Sequence, residues 1–335
     1  MYLSKPEVFS VPIRYINFDI LGLEKNNIKR ARHHVFIGVI LPNQRESRWV
    51  RDKEAMEREA RLREVNIKIE FNDFNIEKQR IAVEKLMSEG VNALIITSID
   101  HGDEASLVDK AKEAGIKVIA YDLLIKSSNV DVYISFNIIR VGEFQGRYLT
   151  KNIPKGNYIL LSGEPSEGLL REGAMTYIQP LIFMREIRVV TDQVVKGWDP
   201  DNAFKIVEES LAKSGNRVDA ILSPNDAIAG ASIKALENQG LAGKVAVTGQ
   251  DADLAAIQRI IQGTQSMTVL KDSRELGKVA IETAIKLVEG KYIDYNAIKN
   301  NGKKDVPSIL IEPIAIDKSN LYTTFKETEY YKDGF

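Results

Sequence analysis

At 335 residues the chain exceeds one ordinary hydrophobic core and matches two lobes of roughly 150 residues each. Hydrophobic residues at 44% and charged residues at 28% are globular proportions, and 46 basic against 47 acidic side chains leave a net charge of -1, which supplies no field for drawing in a nucleic acid. Cysteine is absent, which excludes disulfides, thiolate metal sites and cysteine nucleophiles and agrees with passage through an oxidising space.

The first segment, residues 1–34, mixes aromatics, a Pro-bearing stretch and the basic cluster Lys29, Arg30 and Arg32, and reads as an N-terminal extension. It carries no charged-then-apolar leader, and no run in the chain approaches the ~18 apolar residues of a membrane span, so an exported form would be met here after processing. From residue 35 short β-branched runs alternate with longer amphipathic segments, the pattern of a parallel sheet covered by helices. Strands are predicted at 35–41, 67–71, 93–97, 118–121 and 132–136, and helices near 48–63, 77–88 and 104–114. Gly90 and Gly115 stand where helices should stop. The rhythm restarts with strands at 158–161, 187–190, 220–222 and 245–248. A strand at 267–270, a long helix at 274–289 and an apolar stretch at 309–316 then imply that the chain recrosses. The expected division is a first lobe of 35–137 plus 271–292, a second of 138–270 plus 305–317, and a C-terminal tail of 318–335.

Phosphate loops, G-x-G-x-x-G, H-E-x-x-H and G-x-S-x-G are all absent from the sequence. The three histidines, His33, His34 and His101, read as exposed loop residues and not as metal ligands. No metal and no cofactor is expected.

In parallel sheets, polar residues just past strand C-termini line the crevice that receives ligands. That rule selects Arg45, Arg48 and Trp49 after the first strand, Asp122 after the fourth and Asn137 after the fifth. The second lobe offers Glu167, Trp198, Asn225 with Asp226, and Gln250-Asp251-Ala252-Asp253, and Lys271 follows the returning strand. Sugar hydroxyls donate and accept at once, so carboxylates and amides paired with Arg or Lys suit them, with aromatic faces over the C–H surfaces. The chain's two tryptophans fall in crevice loops, one in each lobe. Other roles stay open for each residue. Asp122, Asn225, Asp226 and Asp251 could cap loops or helices, Trp49 could anchor the first helix in the core, and Arg48 and Lys271 could be surface charges.

With these residues in view, the chain resembles the periplasmic sugar-binding proteins of the ribose and xylose type. The resemblance rests on ordered phrases: Arg45-Glu46-Ser47-Arg48-Trp49, Val118-Ile119-Ala120-Tyr121-Asp122, Tyr133-Ile134-Ser135-Phe136, Gly197-Trp198, Asn225-Asp226-Ala227, Gly249-Gln250-Asp251-Ala252-Asp253, Gly263-Thr264-Gln265-Ser266-Met267-Thr268-Val269 and Lys303-Lys304-Asp305-Val306-Pro307-Ser308. It implies an α/β fold of the type I periplasmic binding protein kind, two Rossmann-like lobes with parallel sheets joined by a three-strand hinge. It also implies an extracytoplasmic place and closure on a pentose such as D-xylose without catalysis. Arg48, Asp122, Asn225, Asp251 and Lys271 would hydrogen-bond the sugar, and Trp49 and Trp198 would stack on it. Three departures stand out. Leu123 replaces an Arg, Asn137 replaces an acidic residue, and the loop at 163–173 is short, leaving Glu167 as the match to an Asp ligand.

The partner would be an ABC permease or a membrane sensor histidine kinase, and the extension at 1–34 favours sensing, as a stalk to a removed anchor. A DNA-binding repressor of the same two-lobed fold needs a basic helix-turn-helix of about 60 residues, longer than 1–34. A pentose enzyme would need an acid/base pair or a phosphate loop, and neither is evident.

Overall fold

The computed structural model describes residues 35–99, 102–163 and 168–328. The predicted extension at 1–34, its two histidines, His101 and Glu167 lie outside the described residues.

The predicted rhythm becomes β1 (Phe36–Leu41), α1 (Ser47–Leu62), β2 (Asn66–Phe71), α2 (Ile76–Ser88), β3 (Ala93–Thr97), α3 (Glu104–Glu113), β4 (Lys117–Tyr121) and β5 (Val132–Phe136). These strands pair in parallel in the order β5-β4-β3-β1-β2, so all their C-termini reach one edge. Side-chain alternation divides the core between the two faces. Ile37, Val39, Leu41, Ile95, Ile119 and Ile134 lie in a cluster with Met56 and Ala60 of α1, whereas Ile40, Leu94, Ile96 and Val118 lie with Val83 and Leu86 of α2 and Val108 of α3. Gly38 shows how tight the second face is, since a Cβ there would stand 2.9 Å from both Leu86 Cδ1 and Leu94 Cδ2. Gly90 and Gly115 end α2 and α3 at φ of 86° and 79°, as their positions imply.

Past Asn137 the chain enters α4 (Ile138–Asn152), β6 (Gly156–Ser162), α5 (Gly168–Phe183), β7 (Ile187–Val194), a 3-10 turn (Lys196–Trp198), α6 (Pro200–Ser214), β8 (Ala220–Leu222), α7 (Asp226–Asn238), β9 (Ala246–Val247) and α8 (Leu254–Gln262). A second parallel sheet follows, ordered β7-β6-β8-β9. Helices α4 and α5 meet backbone to backbone. A Cβ on Gly142 would fall 1.8 Å from the Leu170 carbonyl oxygen, one on Gly146 would fall 2.3 Å from that of Ala174, and one on Gly173 would fall 2.0 Å from that of Ile139.

The last third is β10 (Met267–Leu270), α9 (Ser273–Val288), β11 (Ala297–Asn300), β12 (Asp305–Ile311), β13 (Ile314–Asp317) and α10 (Leu321–Thr328). Here the sequence reading is corrected. The stretch 305–317, expected whole in the second lobe, divides: β12 pairs in parallel with β5 and, with β11 antiparallel at its far side, extends the first sheet to seven strands, while β13 pairs antiparallel with β10. Pro313 stands at the break, where its missing N–H ends one ladder. In the tail, Leu321 and Phe325 of α10 pack against a small core of Ile257, Ile260, Leu270 and Ile316. Among the described residues no helix is long and apolar enough to cross a membrane.

Candidate functional site

The polar residues just past β1, β4 and β10 come together, since Arg48 lies near enough to Asp251 for their charges to act on one another. Arg48, on the first turn of α1, donates from Nη2 to Asp122 Oδ1 in a short contact, with side chains 13% and 5% exposed. Its guanidinium carbon lies 4.4 Å from the Trp49 ring centroid. On the other side, Lys271 Nζ is 3.1 Å from Asp251 Oδ1, with side chains only 3% and 13% exposed. Two buried ion pairs therefore face the same space, one from each half of the chain. Burial opposes the charge on Arg48, yet Asp122, Asp52 and Asp251 outweigh it and raise its pKa well above the usual value. Burial also pushes Asp251 up, but Lys271 and then Arg48 pull harder, so its carboxyl sits below the ordinary aspartate range.

The turn that carries Asp251 is built from inside. Asp226, the first residue of α7, accepts from Thr268 Oγ1 at 2.9 Å, from Gln265 Nε2 at 2.8 Å and from the Asp253 N–H at 2.9 Å. Its own N–H donates to the Gln250 carbonyl at 3.0 Å. Gln145 of α4 adds a bond to the Gly249 carbonyl at 3.0 Å. Asp226, open between ligand and cap, is thus a buried brace, its pKa raised by burial and then by Asp253 and Asp251. Asp122 (φ 64°), Asp251 (φ 93°) and Trp198 (φ 53°) all occupy the left-handed region, which costs on the order of 1–3 kcal/mol each and needs support from the surrounding structure.

The remaining candidates are placed as follows. Trp49, on α1, is buried in the core and also meets Arg48. Trp198 packs against the end of β6, its ring filling the space where a Gly163 Cβ would stand. Asn225 caps α7 by accepting from the Ile228 N–H at 2.9 Å, which leaves the carboxamide nitrogen outside the cap. Asn137 caps α4 through the Arg140 N–H at 3.3 Å and donates to Glu312 Oε1 at 3.0 Å. Arg45 is exposed, with its backbone N–H held by Asn43 Oδ1 at 2.9 Å, and it makes no contact with the two ion pairs. Among the described residues no group of His, Asp and Glu is arranged to hold a metal ion.

Two residues near the pairs escaped the sequence reading. Asp52 is fully buried one turn past Arg48, its Oδ2 3.8 Å from Arg48 Nε, and burial raises its pKa. Neither of its oxygens makes a hydrogen bond of full geometry, although the Ser273 and Tyr121 hydroxyls lie near enough to act on it. The i,i+4 spacing from Arg48 was the available signal. Arg51, on the same helix, reaches across to the other half of the site, donating from Nη2 to the Asp251 carbonyl at 3.3 Å and to Asp253 Oδ1 at 3.1 Å.

With this geometry established, likeness to known proteins is informative. The model of a periplasmic binding protein domain matches residues 37–292. The D-xylose-binding periplasmic protein of Escherichia coli is 39% identical over 311 residues, 92% of this chain and 94% of that protein. That of Haemophilus influenzae is 40% identical over 304 residues, 89% of this chain and 90% of that protein. Among solved structures, a carbohydrate transporter solute-binding protein from Chloroflexus aurantiacus in complex with D-glucose superposes with a TM-score of 0.84 at 30% identity, covering 89% of this chain and 96% of that one. The chain therefore belongs to the periplasmic binding proteins, within them to the type I sugar-binding class, a family of extracytoplasmic solute-binding proteins and not of enzymes.

Proposed function

We propose that the chain binds a monosaccharide, D-xylose foremost, between its two lobes and closes on it. The observation that carries this reading is the convergence of two buried ion pairs, Arg48–Asp122 and Lys271–Asp251, beside Trp49. A sugar hydroxyl can accept from the cation and donate to the carboxylate of such a pair at once. In this reading Asn225, Trp198 and Asn137 would add further contacts to the sugar. The choice of xylose leans on the two D-xylose-binding relatives at 39% and 40% identity.

The lobes are taken to divide where the chain passes between sheets, after Asn137, after Leu270 and at Pro313. Ligand that contacts both lobes stabilises the closed arrangement over the open one. Arg51, already bonded to Asp251 and Asp253, joins the two halves in the same movement. Titration calorimetry with D-xylose, D-ribose, L-arabinose and D-glucose tests the reading. Heat and a raised melting temperature are expected for xylose, and silence with all four sugars would defeat it.

Delivery to an ABC permease is the output supported by the likeness to transporter solute-binding proteins. A second output would be signalling occupancy to a membrane sensor histidine kinase. Sugar-dependent co-purification of the full-length product with permease subunits or with a kinase separates the two.

A further inference from the structure

Next to the Arg48–Asp122 pair the structure holds a cavity of about 530 Å³. Of the predicted sugar contacts among the described residues only Asp122 and Asn137 line it, and the surface it exposes is largely apolar, with Leu123, Leu124, Phe136, Ile139 and Leu169 prominent beside the polar Ser98, Lys126, Ser127, Lys299, Asn300 and Asn301. A pentose has about ten heavy atoms and fills on the order of 150 Å³ of close-packed space. The cavity is therefore larger than a free pentose and lies to one side of the ion pairs that would hold one.

Most of the hydrogen-bonding groups in this wall are already committed, Ser127 and Lys299 being the exceptions. Tyr133 Oη donates to the Asp122 carbonyl at 3.0 Å, and Ser98 Oγ donates to Glu104 Oε2 at 2.5 Å. Asn300 donates to Asp305 Oδ1 at 2.7 Å, and the Asn301 amide bonds the Ile125 and Ser128 carbonyls at 3.1 and 2.9 Å. A second sugar ring would bring several hydroxyls into a space with few partners for them, at a desolvation cost. An apolar group would bring none. We propose that the site accepts a pentose bearing an apolar substituent, an alkyl or aryl pentoside, with the sugar ring at the two ion pairs and the aglycone in this cavity. The proposal rests on the pentose reading above and narrows its substrate class.

The test is titration calorimetry on the full chain with three probes, D-xylose, phenyl β-D-xylopyranoside and xylobiose. Burial of part of a phenyl ring should make the phenyl xyloside about tenfold tighter than xylose, with xylobiose weaker than both. Leu124→Gln and Ile139→Gln should each remove most of that gain while leaving the xylose Kd within about twofold, a result that also shows each variant to be folded. Failure of the phenyl xyloside to bind where xylose binds would overturn the proposal, as would xylobiose binding more tightly than the phenyl xyloside. No heat from xylose itself would instead bring down the pentose reading beneath it.

Discussion

Replacing Lys271 by Met keeps the apolar stem and removes the charge from a pair whose side chains are 3% and 13% exposed. Removing one member of a buried ion pair costs about 3–5 kcal/mol, because the other charge stays behind without compensation. The lower end applies here, since Arg48 and Arg51 still act on Asp251. At about 2 °C per kcal/mol for a chain of this size, the sugar-free protein should melt about 6 °C lower at pH 7. The pH dependence is the sharper signature. Asp251 has a folded pKa below its unfolded value, so its ionised form contributes stability above the ordinary aspartate pKa, and that contribution is lost as pH falls through the folded value. Without Lys271 the folded pKa of Asp251 climbs, and the variant forfeits stability only where Asp251 is ionised. Thermal unfolding from pH 7 down to pH 3.5 should therefore show the deficit shrinking as pH falls below about 4. A deficit independent of pH, or a variant as stable as the parent, would refute the reasoning.

Asp52→Asn should raise the neutral-pH melting temperature by a few degrees, because a buried carboxylate with a raised pKa opposes folding as pH climbs past its unfolded value, and the gain should vanish near pH 3. The same variant should weaken xylose binding in calorimetry, since Asp52 helps hold the Arg48 charge. Gly163→Ala places a methyl inside the Trp198 ring, so the ring must leave its seat. Trp fluorescence should shift, and xylose affinity should fall as far as in Trp198→Ala. Leu123→Arg adds a charged donor beside Asp122 and should tighten xylose binding by one to two decades, at roughly 1.5–3 kcal/mol for a charged hydrogen bond, read as Kd.

Strand positions were legible because β-branched runs are short, apolar and bounded by turn residues. The predicted limits of β3, β5, β8 and β10 coincide with those observed. What the sequence hid was pairing between distant segments. The run 309–316 reads as one apolar strand, and only Pro313 hints that it serves two ladders. The candidate site divides in the same way. Arg48, Asp122, Asp251 and Lys271 follow from the rule that ligands meet strand C-termini, and the structure brings them together. Asp52 and Arg51 project from a helix toward neighbours supplied by other segments, so their relevance depends on packing that no local pattern encodes. Asn137 and Asn225 occupy loop ends where capping and ligand contact draw on the same residue type, and the structure shows the caps.

The glycine-lined contact between α4 and α5 has a mechanical consequence. With carbonyl oxygens standing where side chains would otherwise go at Gly142, Gly146 and Gly173, the two helices have no compressible layer between them and behave as a single stiff lever. Helix α4 begins immediately after Asn137, at one of the passages between the sheets. If the lobes close as proposed, a few degrees of rotation there would reach the second sheet undamped, with bending confined to the crossing segments and the faces of each lobe keeping their shape. A partner protein reading this molecule would then sense the angle between two unchanging surfaces, and a single alanine at Gly142 would blur that angle before it touched any residue of the sugar site.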